Sequence, residues 1–372
     1  MLKSKTQIVQ LFDEQSPFTL QSGLILKELK VAYETYGTLN SAADNAILIC
    51  HALTGDAHAA GQTELSTEIL KEIPFYRAKK PGQPGWWDGL IGPEKALNTD
   101  RYFVVCSNIL GSCYGTTGPV SPNPQSTKPF GPQFPQVTVR DMVRVQKALL
   151  DYLGIKQLVT VIGGSLGGMM TLEWGIMFPE RVRSIIPIAA PAAHSAWAIG
   201  FNHLARQAIV NDPDWKDGYY TRQPEKGLAL ARQIAMLSYR TQPSFQQRFG
   251  RKLQNSERTD FFQVESYLSY QGKKLVGRFD ANSMMVLTRA MDTHDVGAER
   301  GGIQAALQSV SAKTLAIGID SDLLYPISEQ KEIAALVPQG TYREIHSVNG
   351  HDAFLIEYDQ LNVLIGEFLK GI

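Results

Sequence analysis

Ser165 stands at the centre of Gly163-Gly164-Ser165-Leu166-Gly167-Gly168, between an apolar β-branched run, Leu158–Ile162, and an apolar stretch of helical spacing that stops at Pro179. A strand that turns sharply into a helix lifts the residue at its apex clear of the sheet, and flanking glycines leave room for so tight a turn. The helix N-terminus beneath the turn favours developing negative charge. A serine held this way is a candidate nucleophile. Its hydroxyl is weak at neutral pH, so it needs a base, and the base needs an orienting acid.

The strand–elbow–helix pattern resembles that of α/β-hydrolases, where the order along the chain is Ser, acid, His, each on a loop after a late strand. Two loops qualify. Asp320-Ser321-Asp322-Leu323-Leu324-Tyr325-Pro326 follows a strand predicted at Thr314–Ile319, and Ser347-Val348-Asn349-Gly350-His351-Asp352-Ala353-Phe354 follows one at Thr341–Ile345. His351 is the expected base. His346 ends its strand and is expected to pack, and His294 precedes the acid in the chain. Asp322 and Asp320 both remain open as the acid on residue type alone. A third loop, Ala52-Leu53-Thr54-Gly55-Asp56-Ala57-His58, follows a buried strand, Asn45–His51. Here the backbone N–H of Leu53 would pair with that of Leu166 as an oxyanion hole; one such donor is worth about 2.7–4 kcal/mol.

The elements that must position these groups alternate. A strand is expected at residues 22–36, then Asn45–His51, Tyr102–Ser107, the nucleophile strand, Arg183–Ala189, Thr314–Ile319 and Thr341–Ile345. Helices are expected at Thr138–Leu153, after the elbow, at Pro326–Val337 and at Tyr358–Leu369. In the first of them Thr138 and Asp141 have the spacing of a capping box, and Met142, Val145, Leu149 and Tyr152 mark the buried face. Such alternation argues for a mainly parallel central sheet covered on both faces. Residues 80–135 are rich in Pro, Gly and aromatics, a long loop of the kind that lines sites. From Ala190 to Gly302 the pattern turns to helix and loop, a helical lid inserted between two sheet strands. The division is therefore 1–189 and 303–372 for the core and 190–302 for the lid.

The bulk numbers exclude other classes. The 372 residues carry 36 basic and 36 acidic side chains, and no basic face or tail suggests nucleic acid or a membrane surface. Apolar runs such as Ala46–Cys50 and Ile185–Ala193 fall far short of the ~20 residues that span a bilayer. The N-terminus has no apolar signal core. Cys50, Cys106 and Cys113 are too few and too scattered for a disulfide framework or a metal site, and fit a reducing cytoplasm.

Over nearly its whole length the chain resembles the homoserine O-acetyltransferase family. The resemblance lies in Leu29-Lys30-Val31-Ala32-Tyr33-Glu34-Thr35-Tyr36-Gly37, His51-Ala52-Leu53-Thr54-Gly55, Asn98-Thr99-Asp100-Arg101-Tyr102-Phe103-Val104-Val105 and residues 111–119. It continues in Gly163–Met169, Ser321-Asp322-Leu323-Leu324-Tyr325-Pro326 and Gly350-His351-Asp352-Ala353-Phe354. It implies transfer of an acetyl group from acetyl-CoA, a co-substrate rather than a resident cofactor, to the hydroxyl of L-homoserine. It implies Ser165, Asp322 and His351 as the triad, deciding for Asp322 over Asp320. It further implies Arg232 as ligand of the substrate carboxylate, Asp352 as ligand of its ammonium, and a homodimer joined through the lid. The family often has Met after the nucleophile, where this chain has Leu166; only its backbone N–H would act. The rivals are a succinyl donor or a serine acceptor on the same fold, an esterase or thioesterase, and a binding module that kept the scaffold.

Overall fold

A computed structural model describes residues 2–63, 65–255 and 260–372. Eight strands form the main sheet: β1 Gln7–Phe12, β2 Leu29–Tyr36, β3 Ala46–Cys50, β4 Phe103–Ser107, β5 Leu158–Gly164, β6 Val182–Ile188, β7 Lys313–Ile319 and β8 Gly340–Ile345. Their order across the sheet is β1-β2-β4-β3-β5-β6-β7-β8. Pairing is parallel from β4 to β8, and antiparallel only where β2 meets β4 and β1. The central strands are buried on both faces, so they read as continuous apolar runs. Alternation still sorts their side chains: Leu48, Cys50 and Val161 join the core on one face, Ile47, Ile49 and Ile162 that on the other.

Helix α1, Val139–Tyr152, begins with the expected capping box: the Thr138 hydroxyl accepts from Asp141 N–H while the Asp141 carboxylate accepts from Thr138 N–H. Met142, Val145 and Leu149 are buried as read, but Tyr152 is 59% exposed. It is the last residue of the helix. Helix α2, Leu166–Met177, is mostly apolar and almost wholly buried; its Glu173 carboxylate is met by Arg140 and Arg300. The expected strand in residues 22–36 begins only at Leu29, because Gly23, at φ +84°, turns the chain and Ile25–Leu26 pairs instead with Phe18–Thr19. Strand β1 carries only a weak alternation in sequence; as an edge strand it is partly exposed on both faces.

Between β6 and β7 the described residues form α3 Ala196–Val210, α4 Glu225–Tyr239, α5 Gln242–Arg248, α6 Gln263–Val276, α7 Ala281–Asp292 and the short α8 Ile303–Gln308. Then α9, Ile327–Leu336, and α10, Tyr358–Leu369, complete the chain. No described helix is long and apolar enough to cross a membrane.

Candidate active site

Strand β5 delivers Ser165 with φ +59° and ψ −125°, a conformation that costs a non-glycine residue roughly 1–3 kcal/mol and persists only where the surroundings impose it. The serine N–H donates to the carbonyl of Ile188 on β6 (3.0 Å), and its own carbonyl accepts from Gly168 and Met169, opening α2. A β-carbon on Gly167 would run into the carbonyl of Cys50 on β3, and one on Gly163 would lie 2.5 Å from the same oxygen. The glycines are thus required by the closeness of β3 to the elbow.

The loop after β7 carries Asp322, and that after β8 carries His351; both side chains are buried. Asp322 Oδ2 lies 2.7 Å from His351 Nδ1, and its Oδ1 accepts from the N–H groups of Leu324 (2.8 Å) and Tyr325 (3.0 Å). Asp320, the alternative left open by residue type, instead accepts from Ser347 N–H and approaches His346 at the surface. His346 is therefore exposed and not packed: the strand that carries it lies at the sheet edge. His294 is buried, and desolvation presses its pKa to about 3, too low for a base near neutrality.

The imidazole of His351 sits among Tyr325, Phe354 and Tyr239, with ring centroids 5.1, 5.5 and 5.6 Å away. Burial by itself would lower its pKa. The charge and hydrogen bond of Asp322, with the charge of Asp352, outweigh that and raise it. Its Nε2 is buried and hydrogen-bonds no described protein group, while the residue lines the cavity that Ser165 also lines. Among the described residues, neither the Leu53 nor the Leu166 N–H donates to a protein acceptor.

Two cavities meet at Ser165. The outer and wider runs from Ser165 and His351 between α6 and the Pro/Gly-rich loop, past Gln83, Trp86, Tyr114, Lys274 and Arg278. The inner and narrower one lies beneath α3, α4 and α7. Leu53, Thr54, Arg232 and Tyr239 line both. Arg232 makes no ion pair among the described residues; desolvation lowers its pKa while the charges of Tyr239 and Asp352 partly compensate. Asp352 lines the outer cavity and is 3.0 Å from Arg240 Nε, so part of its charge is already met within the protein.

Several site-building residues gave no local sign in the sequence. Arg278 donates to Thr54 O (2.8 Å) and Thr54 Oγ1 (3.0 Å), tying the insertion to the loop after β3. Arg240 meets Asp352 from the end of α4. Trp87, in the expected site-lining loop, donates to the Phe354 carbonyl (2.9 Å) and braces the His351 segment. Tyr325 had at least stood in the Ser321–Pro326 run. Among the described residues one cluster has metal-ligand character, Asp320, Glu344 and His346; it lines neither cavity.

An elbow serine and a late-strand Asp–His pair on this sheet define an α/β hydrolase, and the family model for the alpha/beta hydrolase fold matches residues 45–358. The homoserine O-acetyltransferase of Moorella thermoacetica is 51% identical over 95% of this chain and 93% of its own length; that of Nostoc punctiforme is 47% identical over 98% and 96%. The crystal structure of the Bacillus anthracis homoserine O-acetyltransferase superposes with a TM-score of 0.88 at 30% identity, covering 99% of this chain and 98% of that one. Esterase E22 gives 0.87 at 30%, with 98% and 100% covered. The chain belongs to the homoserine O-acetyltransferase family.

Proposed function

We propose that the protein moves an acetyl group from acetyl-CoA to the hydroxyl of L-homoserine through an acyl-serine intermediate, yielding O-acetyl-L-homoserine for methionine biosynthesis. The observation that carries this reading is the meeting of two cavities at Ser165 with the Arg232 guanidinium at their junction. In the first half-reaction His351 Nε2 takes the proton of Ser165, and Oγ attacks the thioester carbon. The carbon–sulfur bond breaks, and the departing thiolate takes the proton from His351. The N–H groups of Leu53 and Leu166 hold the oxyanion. In the second half-reaction the acceptor hydroxyl gives its proton to His351 and attacks the acyl carbon, and Ser165 leaves with that proton. The wide outer cavity, with Lys274 and Arg278 on one wall, suits a phosphorylated carrier.

Transfer outruns hydrolysis only if the acceptor is held in place and water is kept out. Arg232 offers a two-point grip on a carboxylate, and Asp352 a counter-charge for the ammonium beside the base. The helices of 190–302 serve as the lid that closes over both. Trp197, Leu204, Leu230 and Leu237 are exposed on α3 and α4, which supports a homodimer formed through this insertion. The three cysteines are free and buried, in keeping with a reducing cytoplasm.

The near-equal likeness to an esterase supports one rival, hydrolysis of the acyl enzyme. The two part on a simple assay. With acetyl-CoA supplied, free thiol should appear in proportion to homoserine and with matching O-acetylhomoserine. Thiol release indifferent to homoserine would favour the hydrolase. Arg232→Ala is expected to raise the KM for homoserine by roughly one to two orders of magnitude, the range of a lost charge-assisted bond. The KM for acetyl-CoA should hardly change. An equal rise in both would remove Arg232 from acceptor recognition.

A further inference from the structure

Tyr325 touches both members of the acid–base pair. Its N–H donates to Asp322 Oδ1 at 3.0 Å, and its ring stands edge-on to the imidazole of His351, centroids 5.1 Å apart and planes at 76°. Its hydroxyl is tied elsewhere, 2.9 Å from Nε2 of His194 in the segment that leads from β6 into the helical insertion. The other ring nitrogen of His194 is 3.3 Å from Asp292 Oδ1 at the end of α7, an ion-pair distance without hydrogen-bond geometry. Arg206 Nη2 (2.6 Å) and Asn202 Nδ2 (2.8 Å), both on α3, hold Asp292 in turn. Burial disfavours the Asp292 charge, but these partners outweigh it and lower its pKa.

Tyr325 is fully buried and His194 nearly so. Burying a hydroxyl, an imidazole and a carboxylate in one line is costly unless each is paired. A phenylalanine at 325 would pack on His351 equally well, so packing does not account for the hydroxyl. What the line does is join α3 and α7 to a residue that contacts both Asp322 and His351.

We propose that His194 is a positioning residue for the triad: through the Tyr325 hydroxyl it fixes the loop that carries Asp322 and the wall that confines His351, so that the seating of the helical insertion sets the geometry of the acid–base pair. This rests on the reading of Ser165, Asp322 and His351 given above. The charged and titratable groups facing His351 are Asp322, Asp352, Tyr239 and Tyr325. Those facing His194 are Asp292, His294 and Tyr325.

The test uses Tyr325→Phe, His194→Ala and the double variant in the full-length protein. Donor-only acylation is followed by rapid quench and intact mass across pH, beside the KM for acetyl-CoA and the melting temperature. Tyr325→Phe keeps the ring and the backbone N–H and cuts only the tether, so folding is retained. Each single change is expected to slow acylation roughly ten- to a hundredfold, the scale of a small misplacement, with little change in donor KM. The double variant should be no slower than the slower single, as for members of one chain. The acid limb of the rate profile should move to lower pH, because a looser Asp322 contact lets the His351 pKa fall. His194→Gln, which still offers the Tyr325 hydroxyl a polar partner, should recover part of the rate. Wild-type acylation and an unmoved acid limb in folded Tyr325→Phe and His194→Ala, or strictly additive effects, would overturn the proposal. Ser165→Ala separates the two levels: if it still acylates, the triad reading itself fails; if it does not while Tyr325→Phe behaves as wild type, only the role of His194 fails.

Discussion

Ser165→Ala is expected to lower turnover by about a millionfold, the scale seen when a serine nucleophile is removed from a complete triad. The residual rate comes from binding and the oxyanion hole alone. The physical reason is that the elbow holds the Ser165 hydroxyl at the junction of the cavities; alanine leaves the elbow without a nucleophile. Since the backbone of Ser165, not its side chain, makes the bonds to Ile188, Gly168 and Met169, the fold should survive. The measurement is intact mass after a donor-only pulse, with peptide mapping. Wild type should gain an acetyl group on the peptide containing Ser165, and the variant should gain none. Full turnover by Ser165→Ala, or acetyl appearing on another peptide at a competent rate, would remove this residue from the chemistry.

Asp322→Asn is expected to cost about 10,000-fold in kcat, as when an amide replaces the carboxylate that orients a catalytic imidazole. An amide at 2.7 Å from Nδ1 no longer fixes the tautomer that leaves Nε2 free, and it withdraws the charge that stabilises the imidazolium. The same carboxylate sets the pH dependence. In the wild-type protein the His351 pKa is raised, so the neutral base is lost as pH falls through a value above the ordinary imidazole range, near 6.5. The acid limb of kcat/KM should lie there, and in Asp322→Asn it should shift to lower pH, because burial is then opposed only by the smaller contribution of the Asp352 charge. Asp320→Asn is the control. Its carboxylate serves Ser347 and His346 at the surface and should leave both rate and profile close to wild type. A larger loss from Asp320→Asn than from Asp322→Asn would reverse the assignment of the acid.

The central strands were legible because parallel strands buried on both faces are apolar without interruption, as Ala46–Cys50 and Leu158–Gly164 are. The capping box of Thr138 and Asp141 was legible because both partners lie within one turn. What escaped were elements whose environment varies along their length. Strand β1 is an edge strand whose two faces are both part-exposed, so its pattern is shallow. Tyr152 has the period of a buried residue but is exposed at the last position of its helix. His346 reads as packing at a strand terminus, yet that strand is the outermost of the sheet.

Local sequence determined the strand–turn–helix around Ser165 and the run of helices between two sheet strands, since each of these is encoded in residues that are neighbours. Contacts between distant segments were decided by the tertiary structure alone. Residue type left Asp320 and Asp322 open and the family resemblance favoured Asp322; the contact itself depends on which side of the loop after β7 faces the loop after β8. The partnership of Asp352 with Arg240, the grip of Arg278 on Thr54, and the line from Asp292 through His194 to Tyr325 join residues from about 100 to more than 200 positions apart. No periodicity or spacing records such pairs, because what selects them is the burial of polar groups that must find partners once the chain has closed around them.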